Sequence, residues 1–506
     1  MSSPILPAEC FRKILNLLDN SALYNCLFLN RYYCRVVIPI IWQNPFVKQI
    51  ATFTSCSLIN TILSCFDEDE LLSLIPSSIN LNIQPPLFAY VEFIKKINHD
   101  CLVEHVRTSI ESSNVNGNYL DCEVQKLVNA IYNRIFRKNT VFQEFEANVT
   151  QKNYVDLPKF SVFTNYEPGI RRLRSLTIFN LGLISSDRKR QNTSKFLDMV
   201  PKSCDSIVNL ELWIKSIKSI FVKKYLDIIK SQPLKRIFLY IDSPERITYN
   251  LELEFRSETL KELILDSVDF KQISLSFIPK LKHLECLEFL YCKGFNNCIV
   301  LSNSKLYLKK FKLWYCEVGD LIEEIIYYLC NESLLKLTLS NATTKAVQIV
   351  KESCPNINYF CLRFYARTFS DSIIPFICDL SLLNVLYIGS NFEIDMASLV
   401  KNFGNYLIYI ECLFFDFNID LQSFIYFTNN CKANLKYWII TLENNSSSKE
   451  YLLNVCKFQN VHNSLKTIGI KKYGNGWIKE ELEIIDILKN QGINIVTPDE
   501  LNYLFC

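Results

Sequence analysis

The apolar positions of this chain follow two different periods. Near the start, Phe11, Ile14, Leu15 and Leu18 fall at i, i+3, i+4 and i+7, one stripe of a short helix. Leu6-Pro7-Ala8-Glu9 supplies the helix entry. Proline at a first helical position needs no amide partner, and glutamate suits the positive helix end. Asp19-Asn20-Ser21 breaks the stripe, with Ser21 the expected N-cap of a second helix carrying Leu23, Cys26, Leu27 and Leu29. A third helix is expected from Arg31 to Ile38, stopping before Pro39, with Trp42 anchoring the exit. So small a unit buries little surface, so it should pack on the next segment, on a partner, or on both.

Residues 47–165 keep helical spacing, as in Leu58-Ile59-x-x-Ile62-Leu63 and Val124-x-x-Leu127-Val128-x-x-Ile131, and are expected to form a helical linker. From Leu173 the period changes to apolar-x-x-apolar-x-apolar. Its first position recurs at Leu173, Ile207, Leu234, Leu260, Leu284, Leu308, Leu334, Ile357, Leu383, Leu407, Leu435 and Leu465. These twelve copies, most 23–28 residues apart, resemble leucine-rich repeats, whose period is roughly 20–29 residues. In the best copies a cysteine completes the signature: Leu284-x-x-Leu287-x-Phe289-x-x-Cys292 and Leu308-x-x-Phe311-x-Leu313-x-x-Cys316. The alternation predicts short strands with leucines inward. Helix-like stretches at Phe221–Ile229, Leu321–Leu329, Ala346–Val350, Ala397–Phe403, Ser423–Thr428 and Glu480–Leu488 lie between strands. The expected fold is therefore α/β: a three-helix unit (1–46), a helical linker (47–165), and a solenoid (166–506) with atypical capping ends. Parallel strands would line the concave face of a horseshoe.

The segment Leu6-Pro7-x-Glu9, Ile14-Leu15-x-x-Leu18, Leu23, Cys26, Leu29-x-Arg31 and Trp42 resembles the F-box, in that family's order and without gaps. Tyr33 departs from it, standing where the family usually carries tryptophan. The cysteine-bearing repeat also resembles the type commonly joined to F-boxes. The resemblance implies a non-catalytic, substrate-recognition subunit of a Skp–cullin–F-box ubiquitin ligase. Leu6, Pro7, Ile14, Leu15 and Leu18 would dock a Skp-type adaptor, and through it a cullin, while the repeats hold a target protein. The alternative is a repeat-based binding scaffold outside any ligase, with the N-terminal helices as a cap.

In the repeat register, the outward strand residues are Trp213, Phe238, Tyr240, Trp314, Arg363, Tyr387, Tyr409 and Tyr437, with Asp266, Glu288, Lys312 and Glu411 among them. Rings interleaved with charges are what a protein-binding surface needs. A net charge of +3 over 506 residues, with Arg188–Arg190 the longest basic run, does not favour nucleic acid. No apolar run is long enough for a membrane span. Twenty scattered cysteines read as reduced, buried thiols of a cytoplasmic or nuclear protein. His99 and His105 flank Cys101 without a C-x-x-C, so no zinc is expected, and no nucleotide, dinucleotide or hydrolase motif predicts a cofactor or an active site.

Overall fold

The computed structural model describes residues 8–47, 52–74, 85–112, 120–138, 142–148, 155–181, 191–215, 219–242, 253–271, 273–295, 298–302, 304–364, 372–390, 397–442, 448–472 and 476–497. Leu6, Pro7 and the Arg188–Arg190 run lie outside them. The chain divides into two compact units, Met1–Ile247 with Leu251–Thr259, and Leu260–Cys506 with Thr248–Asn250.

The first unit opens with helices α1 (Ala8–Leu15), α2 (Asn20–Cys26) and α3 (Arg31–Ile41). They enclose a small core of Leu15, Leu23 and Val37, flanked by Phe11, Cys26, Val36 and Ile40. The Tyr33 ring lies edge-on to Phe11, with centroids 5.0 Å apart. The cap of α2 is Asp19 rather than Ser21: its carboxylate accepts from the Ala22 amide at 2.7 Å. Asn30 caps α3 in the same way, accepting from Tyr33 N at 3.0 Å. Helix α3 does not stop before Pro39 but carries it inside its last turn. Proline removes one amide there, and its lost acceptor belongs to Arg35, a residue on the exposed side of the helix.

Helices α4 (Thr52–Leu63) and α5 (Glu68–Leu74) follow, and then the expected linker departs from a purely helical pattern. It contributes strands β1 (Lys96–Asn98) and β2 (Glu144–Asn148), separated by α6 (His99–Glu111) and α7 (Leu120–Lys138). These pair in parallel with β3 (Ser175–Leu181), which continues into β4 (Asn209–Lys215) and β5 (Arg236–Asp242). Helices α8 (Phe160–Thr164), α9 (Gln191–Ser203) and α10 (Ser219–Ser231) lie between them. The ladder also reaches back before β1, because the Gln43 carbonyl, just past α3, accepts the amides of both Lys95 and Lys96 at 2.9 Å. Lys95 offers the same paired bonds to Gln143 and Glu144, and Gln143 to Arg174 and Ser175.

The second unit contains β6 (Glu262–Asp266), β7 (Cys286–Leu290), β8 (Lys310–Trp314), β9 (Lys336–Ser340), β10 (Tyr359–Phe364), β11 (Val385–Ser390), β12 (Cys412–Ile419), β13 (Tyr437–Leu442), β14 (Thr467–Lys471) and β15 (Asn494–Val496). Within this unit each strand pairs in parallel with the next one in the chain. Short 3₁₀ turns return the chain between β6 and β8. From β8 onward the returns are helices: α11 (Ile322–Leu329), α12 (Thr344–Ser353), α13 (Ile373–Cys378), α14 (Ala397–Tyr406), α15 (Leu421–Asn430), α16 (Ser448–His462) and α17 (Lys479–Asn490). Parallel strands in sequential order, joined by helical or 3₁₀ returns, make both units leucine-rich-repeat-type solenoids. Strands β3 to β14 correspond to the twelve sequence copies.

The inward rows explain the signature. Leu287, Phe311, Leu337, Phe360 and Leu386 are register partners and are all fully buried, as is the row Phe289, Leu313, Leu339, Leu362, Ile388. Each such side chain contributes roughly 1.5–3 kcal/mol on burial. The signature cysteines serve the backbone: Cys292 Sγ donates to the Leu265 and Leu290 carbonyls at 3.3 Å, and Cys316 Sγ to Phe289 at 3.3 Å and Trp314 at 3.5 Å. Burial raises the Cys292 thiol well above its ordinary pKa, which keeps it unreactive. Where a strand ends, the next residue turns left-handed: Ser267, Tyr291, Tyr315 and Asn341 have φ of 58°, 51°, 54° and 57°. The amides of Ser267, Tyr291 and Asn341 then reach the carbonyls of Leu290, Trp314 and Arg363, in the last two residues of the following strand, at 2.7–2.8 Å. A chain with 11 glycines makes these turns without glycine, at a conformational cost that those bonds offset.

Both histidines of α6 are structural. His99 Nε2 lies 2.8 Å from the Val155 carbonyl and so carries the proton, leaving Nδ1 to accept from Tyr132 OH at 3.1 Å. Burial lowers its pKa to about 4. The neighbouring Asp100, with an oxygen 2.5 Å from the Asn148 amide, is pushed up to about 6, mainly by burial and then by Glu146 and Glu104. The two act in opposite directions. As pH falls from 6.5 to 4 the unfolded chain protonates His99 while the fold does not, which destabilises the fold. From 6 to 4 the folded chain protonates Asp100 first, which stabilises it. Relative to wild type, Asp100→Asn should lose about 3 kcal/mol between pH 7 and pH 4, and His99→Phe should gain a similar amount, since one pKa unit is about 1.4 kcal/mol. Urea unfolding of both variants across that range checks the sign, and parallel pH profiles for all three proteins would refute it.

Candidate protein-binding site

One face of each sheet packs under the return elements, and the other carries the outward residues of the strands. Register fixes who stands beside whom. In the first unit Glu211 opposes Phe238, and Trp213 opposes Tyr240. The three rings form one platform: Trp213 stacks on Phe238 at 5.2 Å and 29°, and on Tyr240 at 4.9 Å and 21°. Phe179 of β3 extends it, 5.5 Å from Trp213. Glu211 accepts from the indole Nε1 at 2.7 Å, which fixes the Trp213 ring. All four rings are half-buried.

In the second unit the outward positions carry a polar network. Arg363 of β10 donates from Nη2 to Asp416 Oδ2 of β12 at 2.5 Å, and Tyr387 OH of β11 donates to the same oxygen at 2.5 Å. Lys471 approaches Oδ1 of Asp416 at 3.7 Å. Arg363 and Asp416 are register partners of Gly389 on opposite sides, so the guanidinium reaches across β11 above that glycine. A Cβ at Gly389 would stand 2.9 Å from the Tyr387 ring and 3.2 Å from Arg363 Nε, so any side chain there crowds the bridge. Burial, then the Asp416 carboxylate, pushes the Tyr387 hydroxyl far above its ordinary pKa, so it remains a donor. The guanidinium also lies 5.5 Å from the Trp314 ring, with Lys312 5.2 Å from the same ring. Beyond the network, Val385, Cys412, Phe414 and Ile439 form a buried apolar cluster on this outward side, against which Tyr387 and Tyr437 pack.

The outward residues named from sequence thus divide by unit. Trp213, Phe238 and Tyr240 come together in the first, and Trp314, Arg363 and Tyr387 in the second, with Tyr437 on the apolar cluster. Tyr409 is not on a strand. Cys412 pairs with Val385, so the copy starts at Ile410 rather than Leu407, and Tyr409 and Glu411 precede the strand. The outward residues there are Cys412, Phe414 and Asp416. Asp266 and Glu288 face outward but are 8% and 7% exposed. On the three-helix unit, Leu15 is core at 2% exposure, while Ile14 and Leu18 reach the surface. Leu17 and Phe28, in the turns after α1 and α2, are each 86% exposed and were not singled out by the apolar stripe. Among the described residues no group of three potential ligands could hold a metal ion, and no helix is long and apolar enough to cross a membrane.

The network has a checkable energy. Arg363→Met and Asp416→Asn should be non-additive in urea unfolding, with a coupling of about 1–3 kcal/mol. Gly389→Val should abolish that coupling by displacing the guanidinium; an unchanged cycle in its presence would remove the role given to Gly389.

No family model matches this chain, and no curated protein matches it. Among solved structures, the yeast Rad7–Elc1 complex aligns at 10% identity over 99% of this chain and 100% of that one, with a TM-score of 0.34. A leucine-rich-repeat (LRR) protein of Leptospira interrogans aligns at 14% identity over 80% of this chain and 91% of its own, with a TM-score of 0.29. At those scores neither likeness bears on function, and the fold rests on the strands and register described above.

Proposed function

We propose that this chain is a target-recognition subunit of a Skp–cullin–F-box-type ubiquitin ligase. Its three-helix unit docks a Skp-type adaptor, and its strand faces hold a target protein. The observation that carries the reading is the apolar surface of the three-helix unit. Leu15, Leu23 and Val37 already complete a core, yet Leu17 and Phe28 are left in solvent, with Ile14 and Leu29 also exposed. Large apolar side chains kept on the surface of so small a unit favour a docking partner. The open strand faces, with half-buried rings fixed by hydrogen bonds, suit protein recognition at low entropic cost. Such a subunit contributes proximity and orientation rather than chemistry of its own.

A second reading is a scaffold outside any ligase, with the three helices serving as a cap. It is favoured by the bonds from Lys95 and Lys96 to Gln43, which tie the end of α3 to β1. The two readings differ in one measurement. A purified Skp-type adaptor should bind the full chain, and Leu17→Asp with Phe28→Asp should weaken that binding at least about tenfold, roughly 1.4 kcal/mol, at unchanged thermal stability. Adaptor that binds neither protein, or both equally, would favour the scaffold.

A further inference from the structure

Strands β8, β9 and β10 form the most cationic part of the second unit's outward face. Their outward positions are Lys310, Lys312 and Trp314; Lys336, Thr338 and Ser340; and Tyr359, Cys361 and Arg363. Four of these nine are cations and none is a carboxylate. Lys310 and Lys336 are direct register partners, a like-charge pairing that a parallel sheet gains nothing from keeping. Two of the cations have a counter-charge on a flanking strand: Lys310 meets Glu288 of β7 at 2.9 Å, and Arg363 meets Asp416 of β12. For Lys312 and Lys336 no carboxylate lies within ion-pair distance among the described residues. Their ammonium groups lie over rings instead, Lys312 at 5.2 Å from Trp314 and Lys336 at 5.6 Å from Tyr359. The surface is therefore preorganised, with Arg363 pinned by Asp416 and close to the Trp314 ring, and it retains two positive charges with no counter-charge among the described residues.

We propose that this β8–β10 face is the subsite for an acidic segment of the target protein, an extended peptide whose carboxylates are taken by Lys312 and Lys336 while its backbone crosses Trp314. The proposal deepens the target-binding half of the function given above and rests on it. Charge complementarity selects the occupant: an anionic ligand relieves the Lys310–Lys336 repulsion, and a cationic or neutral one does not. A phosphorylated side chain presents the same chemistry as a carboxylate. Nucleic acid fits less well, since only two cations are uncompensated and strand-long phosphate binding draws on many.

Fluorescence anisotropy with the full chain tests this, using a fluorescein-labelled Glu-Gly repeat peptide as the probe and its Gln-Gly counterpart as the neutral control. The Glu peptide should bind and the Gln peptide should not, and binding should weaken as salt is raised. Lys312→Gln with Lys336→Gln should weaken it at least about tenfold at unchanged thermal stability. Lys261→Gln with Lys309→Gln removes the same charge from two exposed lysines already held by Glu285, and should change nothing. A phosphoserine-for-glutamate peptide that binds as well or better also supports the site. No binding, equal binding of the Gln peptide, equal loss in the Lys261/Lys309 variant, or displacement by oligo-dT at lower concentration than by unlabelled Glu peptide each overturns it. The adaptor-binding variant Leu17→Asp with Phe28→Asp should bind the Glu peptide normally. Failure of the ligase reading therefore shows in the adaptor assay alone, and failure of this subsite in the peptide assay alone.

Discussion

The constraint on which everything else depends is the parallel backbone ladder, taken strictly in chain order within each unit. A parallel strand cannot be joined to its neighbour by a tight turn, so every strand requires a return element. Repetition of strand and return then places the same position of each copy on the same row. Once that register is set, a residue's lateral neighbours are fixed by its place in the copy. Phe311 meets Leu287 and Leu337 because all three stand at one offset. By the same rule Arg363 meets Gly389, and Gly389 meets Asp416. Core and recognition surface are two outputs of one periodicity.

The two faces solve opposite problems. Inward rows are uniform, so adjacent copies are interchangeable and additive in their stabilisation. Outward rows are heterogeneous, and their specificity comes from breaks in the pattern: an aromatic run in the first unit, and a glycine between an arginine and an aspartate in the second. Because the rings and the guanidinium are already held, by Glu211 in one unit and Asp416 in the other, less conformational freedom is lost when a partner arrives. Tyr387 carries a double duty, donating to Asp416 while its ring covers Phe414.

Much of this was legible in the sequence. Leu173 to Leu465 mark twelve strands, and the helix-like stretches between them are the returns. What escaped has physical causes. Strands β1 and β2 are three and five residues long, and they flank α6 and α7, whose stronger helical period dominates the reading. Leu407 and Ile410 are both buried, so the apolar pattern alone could not choose between them, and Tyr409 was placed outward in consequence. On α1, Leu15 and Ile14 belong to one stripe, but a three-helix core consumes the former and leaves the latter outside. Ser21 and Asp19 are both good caps by residue type, and the chain direction into α2 decided for Asp19. Asp416 and Lys336 carry no motif, so only register could bring them to notice.

The bonds from Lys95 and Lys96 to Gln43 carry a further consequence. A terminal strand of an open parallel sheet exposes a row of unpaired amides and carbonyls, to which another extended chain can add. Here the segment leaving α3 occupies the start of that row, so the N-terminal helices and the first coil share hydrogen bonds instead of a free hinge. The module that would receive a partner is thereby also the plug that keeps β1 from recruiting a neighbour. Loosening it would leave that row of β1 open to another extended chain.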